Sequence, residues 1–105
     1  MSTEKRKSYG SKKLEKRLGK LTVGEFLNTW RVSEEMSLKE FGKLVGLSIP
    51  NLCDIEKSRK GVSAEKAQQI AKAMGVPPAL LIRLAIEEQL HAAGLKYTVE
   101  IKPAA

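Results

Sequence analysis

Apolar residues recur every three or four positions in five stretches between Thr22 and Gly94, and a hydroxyl residue or a proline opens each stretch. That spacing places the apolar side chains on one face of a helix. In the first stretch Val23, Phe26, Leu27 and Trp30 form the stripe, and Thr22 and Glu25 stand at the capping-box spacing that satisfies orphan backbone donors. It should end near Glu34 or Glu35. Ser37 and Glu40 repeat the box for a second helix, where Phe41, Leu44 and Val45 share a face. Gly46 should stop it, because glycine accepts the left-handed conformation without steric cost. Ser48 then caps a third helix with Pro50 in its first turn. Its buried side would be Leu52 and Ile55, leaving Ile49, Pro50, Asn51, Asp54 and Lys57 to face outward. After a polar loop over 57–62, Ser63 caps a fourth helix lined by Ala67, Ile70, Ala71 and Met74, which Gly75, Pro77 and Pro78 end. The fifth helix is expected from about Pro78 to Ala93, with Gly94 as its stop.

Three parts of the pattern are less regular. From Ser11 onward, Leu14, Leu18 and Leu21 keep helical spacing, but Gly19 interrupts it. The fifth helix carries two stripes: Leu80, Leu81, Leu84 and Ala85 on one side, and Ile82, Ile86, Leu90 and Ala93 on the other. Two stripes predict two partners. Beyond it Leu95, Tyr97, Val99 and Ile101 alternate with polar residues, the period of a strand with one wet face. No second strand is visible, so the expected completion is antiparallel pairing with the same strand of a second copy. Ile82, Ile86, Leu90, Tyr97, Val99 and Ile101 would form that dimer interface.

A chain of 105 residues has room for one ordinary domain and short tails, which argues against a multi-domain enzyme. Its formal charge of +7 is uneven: residues 1–20 hold eight Lys/Arg against two Glu, and the remainder eleven against ten acidic residues. A basic, flexible arm over 1–20 fits a polyanion partner, since each cation placed on a phosphate releases counterions; a solubilising tail is the plainer reading. We therefore divide the chain into the arm (1–20), a central domain (21–76) and a C-terminal helix and strand for dimerisation (77–105). The single cysteine, Cys53, excludes an internal disulfide and agrees with a cytoplasmic protein. No apolar run is long enough to span a bilayer, and the N-terminus lacks a signal-peptide core.

The second and third helices, joined by a glycine turn over Ser37–Glu56, read as a helix-turn-helix. Leu38, Glu40, Phe41, Val45, Gly46, Leu47 and Ser48, then Leu52, Ile55 and Glu56, then Ser63, Ala67, Ile70, Ala71, Ala73, Met74 and Gly75 resemble the Xre family, the Cro and phage-repressor type of DNA-binding domain. The resemblance covers about Thr22 to Leu84. It implies an all-α, five-helix phage-repressor-like fold, and an ion pair between Arg31 and Glu56. It also implies base contacts from Ile49, Pro50 and Asp54 with Asn51 nearby, and phosphate contacts from Lys57, Arg59 and Lys60. The helix start at Ser48 would aim backbone N–H groups at phosphate. Leu38, Ile49 and Pro50 stand where such repressors often carry glutamine, so these positions offer only apolar contact, for example to a thymine methyl. Ser58 replaces the glycine that commonly follows this helix. Direct readout should then be sparse, with specificity resting partly on DNA shape.

Other chemistry finds little support. Cys53 reads as a small filler beside the third helix, His91 has no second ligand at metal spacing, Trp30 reads as core, and Glu87 and Glu88 adjoin on a helix and so point apart. No nucleophile–base pair, phosphate-cradling loop or metal cluster is evident; no enzyme activity, cofactor or metal is expected. The expected function is a sequence-specific regulator, a repressor binding double-stranded DNA as a homodimer at an inverted repeat. The alternative is an antitoxin that also holds a protein toxin through the basic arm or the C-terminal segment.

Overall fold

The computed structural model describes residues 21–104, and within them the chain forms five helices: α1 (Val23–Ser33), α2 (Leu38–Val45), α3 (Ile49–Glu56), α4 (Ala64–Met74) and α5 (Pro78–Ala92). The first four start on side-chain caps. Thr22 Oγ1 accepts from Glu25 N–H at 3.0 Å while Glu25 Oε1 accepts from Thr22 N–H at 3.1 Å, and Ser37 and Glu40 exchange the same two bonds at 3.0 and 2.8 Å. Ser48 and Ser63 accept from Asn51 and Lys66 N–H at 3.3 and 3.0 Å. α5 has no side-chain cap and begins on Pro78, whose missing N–H needs none. Gly46 and Gly75 end α2 and α4 in the left-handed conformation.

These helices bury one continuous core, with Val23, Leu27, Phe41, Leu52, Ile70, Leu81 and Leu84 almost wholly removed from water. α4 packs along α5 and against α2, while α3 is held between α1 and α2. Trp30 is half-buried, its ring 5.5 Å from that of Phe41. The core runs on past residue 76, since Leu81, Leu84 and Ala85 share it with Phe41 and Ile70. One hydrogen bond spans the length of the chain: Glu88 Oε1 on α5 accepts the Val23 N–H at 2.9 Å, a donor that the start of α1 leaves open. Glu87, next to it, points elsewhere.

The C-terminal segment corrects the sequence reading. Residues 95–104 form no strand; they fold back as extended chain along α5. The Glu87 side chain is buried and its Oε2 accepts the Val99 N–H at 2.7 Å, with Arg83 Nη1 3.8 Å from the same oxygen. The alternation is real, because Val99 and Ile101 are half-buried beside Ala79, Leu80 and Arg83, whereas Leu95 and Tyr97 are 45% and 63% exposed. Period-two patterning requires a flat apolar neighbour, and a helix with a spare carboxylate supplies one as well as a sheet does. A backbone donor that strand pairing would draw on is thus bonded within its own chain. Of the second α5 stripe, Ile82 packs partly on the core, Ile86 and Leu90 are half-buried, and Ala93 is exposed. Leu14, Leu18 and the basic arm lie outside the described residues, while Leu21 is buried.

α1 reaches α3 closely only because residue 24 lacks a side chain: a Cβ on Gly24 would stand 1.8 Å from the Ile55 carbonyl oxygen. Both contacting groups there are backbone, so neither can rotate away. Gly24→Ala should cost about 3 kcal/mol or more in urea denaturation. Gly61→Ala, where a Cβ meets nothing within 4 Å, should change stability by less than about 1 kcal/mol.

Candidate nucleic-acid interface

The turn between α2 and α3 is as tight as the α1–α3 contact. Leu47 N–H donates to the Gly42 carbonyl at 2.9 Å, and a Cβ on Gly42 would lie 2.6 Å from the Leu47 carbonyl oxygen. α3 therefore leaves the turn in a fixed direction, anchored beneath by Leu52 and Ile55, which are buried. On its outer side Ser48, Ile49 and Pro50 are exposed, and Asn51, Cys53 and Asp54 are half-buried. Lys57, Arg59 and Lys60 follow it, all exposed.

The far end of α3 is held by charge. Arg31 on α1 meets Glu56 with two bonds, Nε to Oε2 at 2.8 Å and Nη2 to Oε1 at 3.1 Å, and its Nη1 donates to the Met36 carbonyl at 2.9 Å. Asn28 Nδ2 adds a further donor to Glu56 Oε1 at 2.9 Å. The side chains of Arg31 and Glu56 are only 16% and 5% exposed. The hydrogen bond to Glu56 and the charge of that carboxylate hold the Arg31 guanidinium above its ordinary pKa, against the opposing effect of burial. Its charge, and hence the pair, persists across the whole physiological pH range.

The residues expected to read bases and those expected to hold phosphates are brought into direct contact. Arg59 Nη1 donates to Asp54 Oδ1 at 3.2 Å, and Lys60 Nζ donates to Asn51 Oδ1 at 2.7 Å. Sequence reasoning missed both pairs. They arise because the chain reverses sharply after α3: Ser58 takes a left-handed conformation at φ 59°, with Ser58 N–H on the Ile55 carbonyl and Arg59 N–H on the Asp54 carbonyl. This conformation is strained for a residue with a Cβ. Ser58 Oγ lies 3.0 Å from Thr22 Oγ1, tying the reversal to the cap of α1. The serine at a position that commonly carries glycine was the available signal, since it marks a left-handed residue and therefore a loop folding back over α3.

A family model described as Helix-turn-helix matches residues 27–81, more than half of the chain. The chain belongs to the Xre family of helix-turn-helix proteins, the Cro and phage-repressor type. No curated protein and no solved structure matches it. Membership makes this helix-turn-helix protein a DNA-binding regulator, with α2 and α3 as its paired helices. Among the described residues no His, Cys, Asp and Glu side chains cluster at metal-holding distance, and no helix is long and apolar enough to cross a membrane.

If the Arg31–Glu56 pair is what fixes the end of α3, Arg31→Met should cost about 3–5 kcal/mol by leaving a buried carboxylate unpaired. Arg31→Met combined with Glu56→Leu should recover a large part of that loss in the same urea titrations, because no buried charge remains.

Proposed function

We propose that this helix-turn-helix protein is a homodimeric repressor that binds an inverted-repeat operator and acts by occupying it. The observation that carries the reading is the cluster at the outer side of α3: Ile49, Pro50, Asn51 and Asp54 lie next to Arg59 and Lys60, on a helix locked at both ends. A helix presented in this way can enter the major groove while adjacent cations meet the flanking phosphates. Ile49 and Pro50 would supply apolar contact to thymine methyl groups, and Asn51 and Asp54 the polar readout. The backbone N–H groups behind Ser48, and Lys57 beyond the helix end, would face phosphate.

The dimer is inferred from α5. Its half-buried stripe of Ile82, Ile86 and Leu90, with Tyr97 exposed nearby in sequence, is apolar surface that the chain's own core covers only in part. Covering it with a second copy would set two α3 helices on successive major-groove faces about 34 Å apart.

Gel-shift titration tests the reading. Affinity for a selected inverted repeat should exceed that for random duplex by at least about a thousandfold and should fall steeply with salt. Lys57→Ala should weaken all sequences alike and lower the salt slope by about one. Sedimentation at micromolar concentration should give a dimer, and Ile86→Asp a monomer. Equal affinity for every duplex would sink the regulator reading, and a monomeric wild type would sink the inverted repeat.

A further inference from the structure

The two loop cations do more than add positive charge beside α3, because each engages one particular atom of a polar reading residue. An asparagine amide offers both an acceptor oxygen and a donor nitrogen, and the usual readout of adenine uses both, with Oδ1 accepting from N6 and Nδ2 donating to N7. Here Asn51 Oδ1 is engaged by Lys60 Nζ at 2.7 Å. This sets the orientation of the amide and leaves Nδ2 as its free hydrogen-bonding group. Asp54 carries only acceptors. Arg59 Nη1 occupies its Oδ1 at 3.2 Å, which offsets the negative charge that phosphates would otherwise repel and leaves Oδ2 open.

Asn51 and Asp54 are three residues apart on α3 and therefore neighbours on its surface. We propose that Lys60 and Arg59 fix this surface as one amide donor beside one carboxylate acceptor, a face complementary to a G·C pair and mismatched to adenine. Guanine presents the acceptors O6 and N7 in the major groove, and cytosine presents the N4 donor. The proposal rests on the DNA-binding reading above and makes Lys60 and Arg59 positioning residues. In water these exposed pairs are weak, the Arg59 and Asp54 side chains being 62% and 44% exposed. Docking in the groove displaces water from Asn51 and Asp54, and a charge-assisted bond strengthens as its surroundings dry.

The experiment is selection from a random duplex library with the full chain, followed by titration of fixed duplexes that differ at one base pair. Asn51→Ala locates the pair, as the position where wild-type preference is lost. At that pair the wild type should prefer guanine. Lys60→Ala frees Asn51 Oδ1 to accept, so the guanine-over-adenine ratio should fall by about tenfold, whereas Lys60→Arg, which keeps a donor, should retain guanine. The proposal is overturned if Lys60→Ala weakens every duplex by one factor with the ratio unchanged, which would make Lys60 a phosphate contact, or if the wild type prefers adenine there. In either case the DNA-binding reading stands. A wild type that binds all duplexes equally removes that reading and this proposal together.

Discussion

The carboxylate of Glu56 sits at the end of α3 with its side chain almost fully out of water, and the placement of the reading helix depends on how that charge is met. An ionised carboxylate buried alone would cost several kcal/mol. Arg31 answers it with two bonds and Asn28 with a third, all from α1, so the same interactions that neutralise Glu56 fasten α3 to α1. Arg31 also donates to the Met36 carbonyl, in the turn that leads into α2. One guanidinium thus connects the three helices that determine where the reading face points.

Close backbone contact does the rest. Gly24 lets α1 approach the last turn of α3, and Gly42 lets the turn at Leu47 close over α2. Neither contact has a side chain that could yield, which makes the geometry of α3 stiff at both ends. Stiffness matters for recognition, because hydrogen bonds to base edges discriminate only when donors and acceptors are held in place before binding. The loop after α3 extends this order outward: Ser58, strained but tied to Thr22, turns the chain so that Arg59 and Lys60 lie over Asp54 and Asn51.

α5 serves the same core from the opposite side. Leu81, Leu84 and Ala85 are buried in it, Glu88 completes the start of α1, and Glu87 holds the returning C-terminal segment. Two adjacent carboxylates therefore make unrelated attachments, one to each end of the described chain. The returning segment covers part of the helix, and the stripe of Ile82, Ile86 and Leu90 stays half-exposed beside it.

The sequence by itself determined the helices, their ends and the family. Caps at Thr22, Ser37, Ser48 and Ser63 and stops at Gly46 and Gly75 are local chemistry, written within four residues of where they act, and the apolar stripes of α1 to α4 follow from a fixed period. The outward placement of Ile49, Pro50, Asn51 and Asp54 was legible for the same reason. Only the tertiary structure decided what depends on residues far apart in the chain. Gly24 looks like a weak point inside a helix until Ile55 lies against it, and Glu87 looks like a solvent-facing charge until Val99 returns to it. The alternation at 95–101 specifies which side of that segment is apolar, but not whether a sheet or a helix receives it. The pairing of Lys60 with Asn51 and Arg59 with Asp54 likewise needed the loop's path, because a helical pattern states which way a side chain faces and not what the chain beyond the helix folds back to touch.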